Sequence, residues 1–203
     1  APAEMPEELH WFKYEAYFTF LSGFALMSVI YYWGADAYLI DPEIADLTQF
    51  EAIVLSIGFL SGGWIVYDIL CRLPLLIKHD WLLSVAVFAL ILLVAVGTTN
   101  VFSGRAAFVH VGAVVGTIMV ANVFFIIIPN QKIVVADLIA GRKPEARLGQ
   151  EAKQRSTHNN YLTLPVLLMM ISTHFPMIFS HEQSWVVVAL ILIVGGIIRD
   201  YFN

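Results

Sequence analysis

Five stretches of this chain contain no Asp, Glu, Lys or Arg: 16–35, 52–67, 81–104, 106–131 and 159–180. Most reach the ~20 residues that an ~30 Å hydrocarbon core demands of a helix. The 52–67 stretch is shorter, but Ile69, Leu70 and Cys71 extend it past Asp68. A sixth run, Trp185–Ile198, is apolar throughout and gains length from the aromatic tail Tyr201-Phe202. Backbone amides in lipid must be bonded within the segment, so each run is expected to be a helix rather than an open strand. The chain is 59% apolar and only 13% charged, about half the charge of an ordinary soluble domain. The expected fold is therefore all-α: one transmembrane domain spanning residues 1–203, with helices near 12–35, 50–71, 81–102, 105–128, 158–179 and 184–202.

Basic residues orient these spans, because Lys and Arg concentrate in cytoplasmic loops. With the N-terminus inside, Lys13, Arg72, Lys78, Lys132, Arg142, Lys143, Arg147, Lys153, Arg155 and Arg199 are cytoplasmic, and Arg105 alone is outside. Six alternating spans then leave both termini cytoplasmic. The outer loop after the first helix is acidic instead, with Asp36, Asp41, Glu43 and Asp46. The largest connection, 129–157, lies on the cytoplasmic side; its Ile133–Ile139 part can extend the fourth helix or lie along the interface. No basic stripe points to nucleic acid. Cys71 is the one cysteine, which excludes an intramolecular disulfide and a Cys-x-x-Cys metal or haem-attachment motif. The opening residues are polar, so no cleavable signal peptide is visible.

Polar groups inside spans cost free energy unless partnered, and so mark candidate sites. His110 falls about 9 Å into the fourth helix at 1.5 Å per residue. His174 falls at a similar depth near the outer end of the fifth helix. Two imidazoles at matched depth can ligate a haem iron axially; the plainer reading is that each bonds to a neighbouring helix. His10 and His158 form a second, inner pair, both within reach of water. Gly112 and Gly116 in a Gly-x-x-x-Gly spacing, and Gly62-Gly63, read as close helix packing. The Met169-Met170 pair reads as core filler. At the cytoplasmic mouth, Asn122, Asn159, Asn160 and Arg155 gather amides and a guanidinium able to read a planar, anionic, heteroatom-rich ligand; ordinary capping and positive-inside charge are the alternative. Glu15 and Asp68 read most simply as interfacial carboxylates.

Three long strings carry a resemblance. The first runs Glu8-Leu9-His10-Trp11-Phe12-Lys13-Tyr14-Glu15-Ala16-Tyr17 and on to Leu21-Ser22-Gly23-Phe24-Ala25-Leu26. The second is Gly104-Arg105-Ala106-Ala107-Phe108-Val109-His110-Val111-Gly112-Ala113, continuing through Ala121-Asn122-Val123-Phe124-Phe125 to Ile128-Pro129-Asn130-Gln131. The third spans Lys153-Gln154-Arg155-Ser156-Thr157-His158-Asn159-Asn160-Tyr161 to Pro165, and Ile171-Ser172-Thr173-His174-Phe175-Pro176. In order and over essentially the whole chain, these resemble the membrane-bound urate hydroxylase, or urate oxidase N-terminal, family. The resemblance implies a bacterial inner-membrane, multi-pass protein that oxidises urate to 5-hydroxyisourate and passes electrons to a cytochrome c domain or protein of the respiratory chain. It raises the functional reading of His110, His158 and His174, which lie inside the matching strings. A haem b held by His110 and His174 is the cofactor hypothesis, with urate read by Arg155, Asn159, Asn160 and Asn122. The sequence departs from the family in lacking its first membrane helix, its last helix and its C-terminal cytochrome c, so a fragment or a short relative is expected and no haem c attaches here. Two rival functions are a urate carrier or binding protein without redox activity, and a structural or haem-carrying subunit of a respiratory complex. A plain carrier is disfavoured by the lack of broken helices in matched halves.

Overall fold

A computed structural model describes residues 11–180 and 183–202, with the backbone alone for 11–13. Its helices in chain order are α1 (Trp11–Met27), α2 (Ala35–Tyr38), α3 (Gln49–Arg72), α4 (Pro74–Ile77) and α5 (Asp80–Thr99). They continue as α6 (Gly104–Ala121), α7 (Ile128–Ile139), α8 (Ala146–Ile171), α9 (Pro176–Phe179) and α10 (Ser184–Phe202). Among the described residues there is no strand, as a chain confined to lipid requires.

Five helical stretches are long and apolar enough to cross a bilayer: Tyr14–Trp33, Gln49–Arg72, Asp80–Thr99, Gly104–Ile139 and Ser184–Phe202. They carry five of the six expected spans. The remaining one falls on α8, which is long enough but has a polar N-terminal half, 146–160. The helix expected over 158–179 therefore starts at Ala146 and ends at Ile171, where a 3-10 turn, Ser172–His174, precedes Pro176. Pro176 cannot donate to a continuing helix and opens the short α9 instead.

The segment read as a connection, 129–157, is mostly helical. Residues Gly104–Ile139 form one 36-residue stretch, about 54 Å at 1.5 Å per residue and well beyond an ~30 Å hydrocarbon core. Pro129 lacks the N–H that would bond the carbonyl four residues back. The turn before it, Asn122–Ile127, widens into a π turn that absorbs the mismatch without ending the helix. Gly141, at φ 68°, then reverses the chain into α8, a conformation glycine adopts without strain.

α6 is the centre of the bundle, with Ala106, Ala107, Phe108, Val111, Val115 and Ile118 all fully buried. It packs on α3, α5 and α8, while α10 covers α8 and α5. Lipid removes the hydrophobic drive between helices, so close van der Waals approach must hold them. Glycine supplies it. A Cβ on Gly63 of α3 would lie 2.5 Å from Cγ1 of Val114 on α6, and one on Gly195 of α10 would lie 2.8 Å from the Pro165 ring of α8. In the Gly-x-x-x-Gly pair, a Cβ on Gly112 would lie 3.1 Å from Met169 Cβ, whereas one on Gly116 would touch only the end of Met170. Met169 is fully buried and Met170 half exposed, as core filler and its neighbour. The large exposed residues, among them Trp33, Phe50, Leu93 and Ile197, lie on the outward faces that a bilayer would cover.

Candidate functional site

The buried face of α3 is set by steps of three and four residues: Ala52, Ser56, Leu60, Gly63, Tyr67 and Cys71. Its polar members open onto two separate centres.

The first centre surrounds His110. Its Nδ1 lies 2.7 Å from the carbonyl oxygen of Ala106, one turn earlier, and its Nε2 lies 2.7 Å from Ser56 Oγ. A carbonyl can only accept, so Nδ1 carries the proton and Ser56 donates to Nε2. Ser56 in turn accepts from the Tyr32 hydroxyl at 2.7 Å. The rings of Phe102 and Tyr31 stand 4.7 and 5.9 Å away, and the imidazole is fully buried. Both ring nitrogens are thus engaged by protein, and an iron at Nε2 would have to displace Ser56. His174 sits apart from this core, exposed on the 3-10 turn after α8. The geometry follows the helix-bonding reading of His110.

The second centre lies where α3, α8 and the π turn meet. Arg155, 3% exposed on α8, donates through Nη2 to Asp68 Oδ1 at 2.7 Å, and Arg72 Nε donates to Asp68 Oδ2 at the same distance. One carboxylate between two guanidiniums leaves a net positive charge at this wall. Arg155 also donates through Nη1 to Asn122 Oδ1 at 3.4 Å, and its guanidinium lies 5.0 Å from the Tyr67 ring centroid. Asn122, fully buried, donates through Nδ2 to Tyr67 Oη and to Asn159 Oδ1, each at 3.0 Å. Asn159 Nδ2 closes the chain on the Met119 carbonyl at 2.9 Å. The Tyr67 hydroxyl lies 2.7 Å from His158 Nδ1, with Cys71 Sγ at 3.9 Å from the same nitrogen.

Beside this network is a cavity of about 1110 Å³, at the upper end of small-molecule sites. Its polar wall includes Arg155, His158 and Cys71; its apolar wall includes Phe88, Ile91, Ile126, Leu162 and Leu192. Four cations (Arg72, Arg147, Lys153 and Arg155) line it against two carboxylates, Asp80 and Glu151. Glu151 is itself held by Arg147 at 3.2 Å. Among the described residues no group of three or more His, Cys, Asp or Glu is gathered as a metal site.

Of the residues expected to read a ligand, Arg155, Asn122 and Asn159 are indeed joined, but the two asparagines bond one another, Tyr67 and backbone, and only Arg155 faces the cavity. Asn160 is half-buried and outside the cavity wall. His158, expected as a cofactor ligand, stands on that wall. His10, its proposed partner, lies outside the described residues. Tyr67 was not foreseen, and Asp68 only as an interfacial carboxylate. The three- and four-residue stripe through Ser56, Gly63, Tyr67 and Cys71 is the signal that marks the inward face of α3.

An all-α bundle with five helices long and apolar enough to span a bilayer, with a cavity between them lined by four cations and two carboxylates, defines a helical membrane protein. The family model described as urate oxidase N-terminal matches residues 1–203, the whole chain, and the protein belongs to that family. No curated protein and no solved structure is matched by the chain.

Proposed function

We propose that this chain is the membrane portion of a urate-oxidising enzyme of the bacterial inner membrane, and that urate binds in the cavity between α3, α5, α8 and α10. The observation that carries this reading is the charge of the cavity wall: four cations, the buried Arg155 among them, against two carboxylates, in a member of the urate oxidase N-terminal family. Urate is planar and anionic and is studded with carbonyl oxygens. Lys153 and Arg72 attract its charge, the apolar wall of Phe88, Ile91 and Ile126 lies against its faces, and Arg155 supplies a fixed positive field. Oxidation of urate to 5-hydroxyisourate takes up one water and releases two protons and two electrons. A cytochrome c domain or protein is the proposed electron acceptor. The basic ends of the helices support a cytoplasmic cavity, with both termini on that side.

A haem b held by His110 and His174, suggested by their matched depth in the sequence, does not fit the arrangement of these residues, because Ala106 and Ser56 engage both His110 nitrogens and His174 lies exposed after α8. The test of the urate site is equilibrium dialysis of radiolabelled urate against the full chain in lipid nanodiscs. Saturable binding, weakened at least tenfold by Lys153→Gln with Arg72→Gln, is expected; binding unaffected by the pair, or none, overturns the assignment. Urate uptake by sealed vesicles would favour the carrier instead.

A further inference from the structure

The two ends of the hydrogen-bond chain at the second centre fix its direction. Arginine can only donate, so Asn122 must turn Oδ1 toward Arg155 and Nδ2 toward Tyr67 and Asn159. The opposite end agrees independently. The Met119 carbonyl can only accept, so Asn159 turns Nδ2 to it and Oδ1 to Asn122. Both N–H groups of Asn122 are then committed, one to Asn159 and one to the Tyr67 oxygen. Tyr67 is fully buried, so water cannot take its own proton. The acceptor in reach is His158 Nδ1 at 2.7 Å; Cys71 sulfur is a weak one. A proton on Nδ1 would leave the Tyr67 hydroxyl hydrogen facing only that sulfur, a costly loss in a buried network.

With Nδ1 accepting, the neutral imidazole carries its proton on Nε2. That nitrogen has no hydrogen-bond partner among the described residues, and the ring stands on the cavity wall. The geometry points to His158 as a fixed hydrogen-bond donor into the cavity, with Tyr67 as the positioning residue that sets its tautomer. The ligand atom it meets is an acceptor, such as a carbonyl oxygen of an anionic heterocycle. This rests on the reading of the cavity as a urate site for the identity of the ligand, and on the network alone for the tautomer.

The two parts separate experimentally. Nitrogen-15 NMR of histidine-labelled full chain in nanodiscs, with the His158 signals identified by their loss in His158→Gln, reports which nitrogen is protonated. The Nε2–H form is expected in the parent chain, with the Nδ1–H form growing in Tyr67→Phe. An Nδ1–H form in the parent overturns the inference whatever binds. In urate binding, Tyr67→Phe and His158→Leu are expected to weaken affinity about tenfold, the worth of one hydrogen bond of about 1.4 kcal/mol. His158→Gln, which keeps an N–H near the Nε2 position, should recover part of it and guards against misfolding of Tyr67→Phe. Urate that binds the parent and all three variants alike overturns the donor role and leaves the cavity assignment standing. An Nε2–H tautomer with no urate binding leaves His158 oriented as described and overturns the substrate.

Discussion

Arg155 on α8 and Asp68 on α3 meet at 2.7 Å across the helix interface, with side chains only 4% and 15% exposed. Eighty-seven residues separate them in the chain, and their pairing decides the arrangement of everything attached to Asn122. Arg155 is held from three directions, by Asp68, Asn122 and the face of Tyr67. A guanidinium this buried is tolerable because each contact replaces lost hydration.

Asp68→Asn leaves Arg155 buried without its counter-charge. The expected loss is about 3 kcal/mol, the low end for removing one partner of a buried pair, read as a lowered thermal midpoint in detergent. Arg147→Ala breaks only exposed pairs with Glu145 and Glu151 and should move stability by no more than about 0.5 kcal/mol.

Gly63→Ala places a methyl 2.5 Å from the Val114 side chain. Overpacking there should cost about 1–3 kcal/mol. Gly62→Ala, with open space around it, should be neutral by the same melting assay. Val114→Ala in the Gly63→Ala background should restore part of the loss, and a Gly63→Ala chain as stable as the parent would show that α3 and α6 do not approach this closely.

Ser56→Ala removes the hydroxyl that bonds both His110 Nε2 and Tyr32 Oη. A buried imidazole and a half-buried phenol lose a partner, at an expected cost of about 1–3 kcal/mol in thermal unfolding. For protein expressed with haem, the visible spectrum is expected to be unchanged by His110→Ala. A Soret band that disappears in that variant would make His110 an iron ligand and overturn its helix-bonding role.

The orientation has its own test. In a Cys71→Ser background, Lys143→Cys on the turn between α7 and α8 should react with a membrane-impermeant maleimide only after the cytoplasmic face is opened. Labelling of intact spheroplasts would invert the topology and put the cavity outside.

What was legible in the sequence follows from the solvent. Lipid tolerates neither charge nor unbonded amides, so charge-free runs had to be helices, and five of them are long and apolar enough to span. The α8 helix was the poorest fit, because its polar N-terminal half reads as loop until its packing against α7 is seen. Asn122, Arg155 and Asn159 could be singled out as costly groups in a membrane chain. Their partners could not, since a periodic pattern tells which face of a helix is buried but not which residue of another helix meets it. Depth alone paired His110 with His174, whereas packing gave His110 to Ser56 and left His174 exposed. Tyr67 carried no signal beyond its place on the α3 stripe, yet it joins Asn122 to His158. Composition and hydropathy thus determined that the chain is a helical membrane protein. Tertiary structure alone decided which polar groups satisfy one another, because hydrogen-bond satisfaction depends on distances between helices that no local pattern encodes.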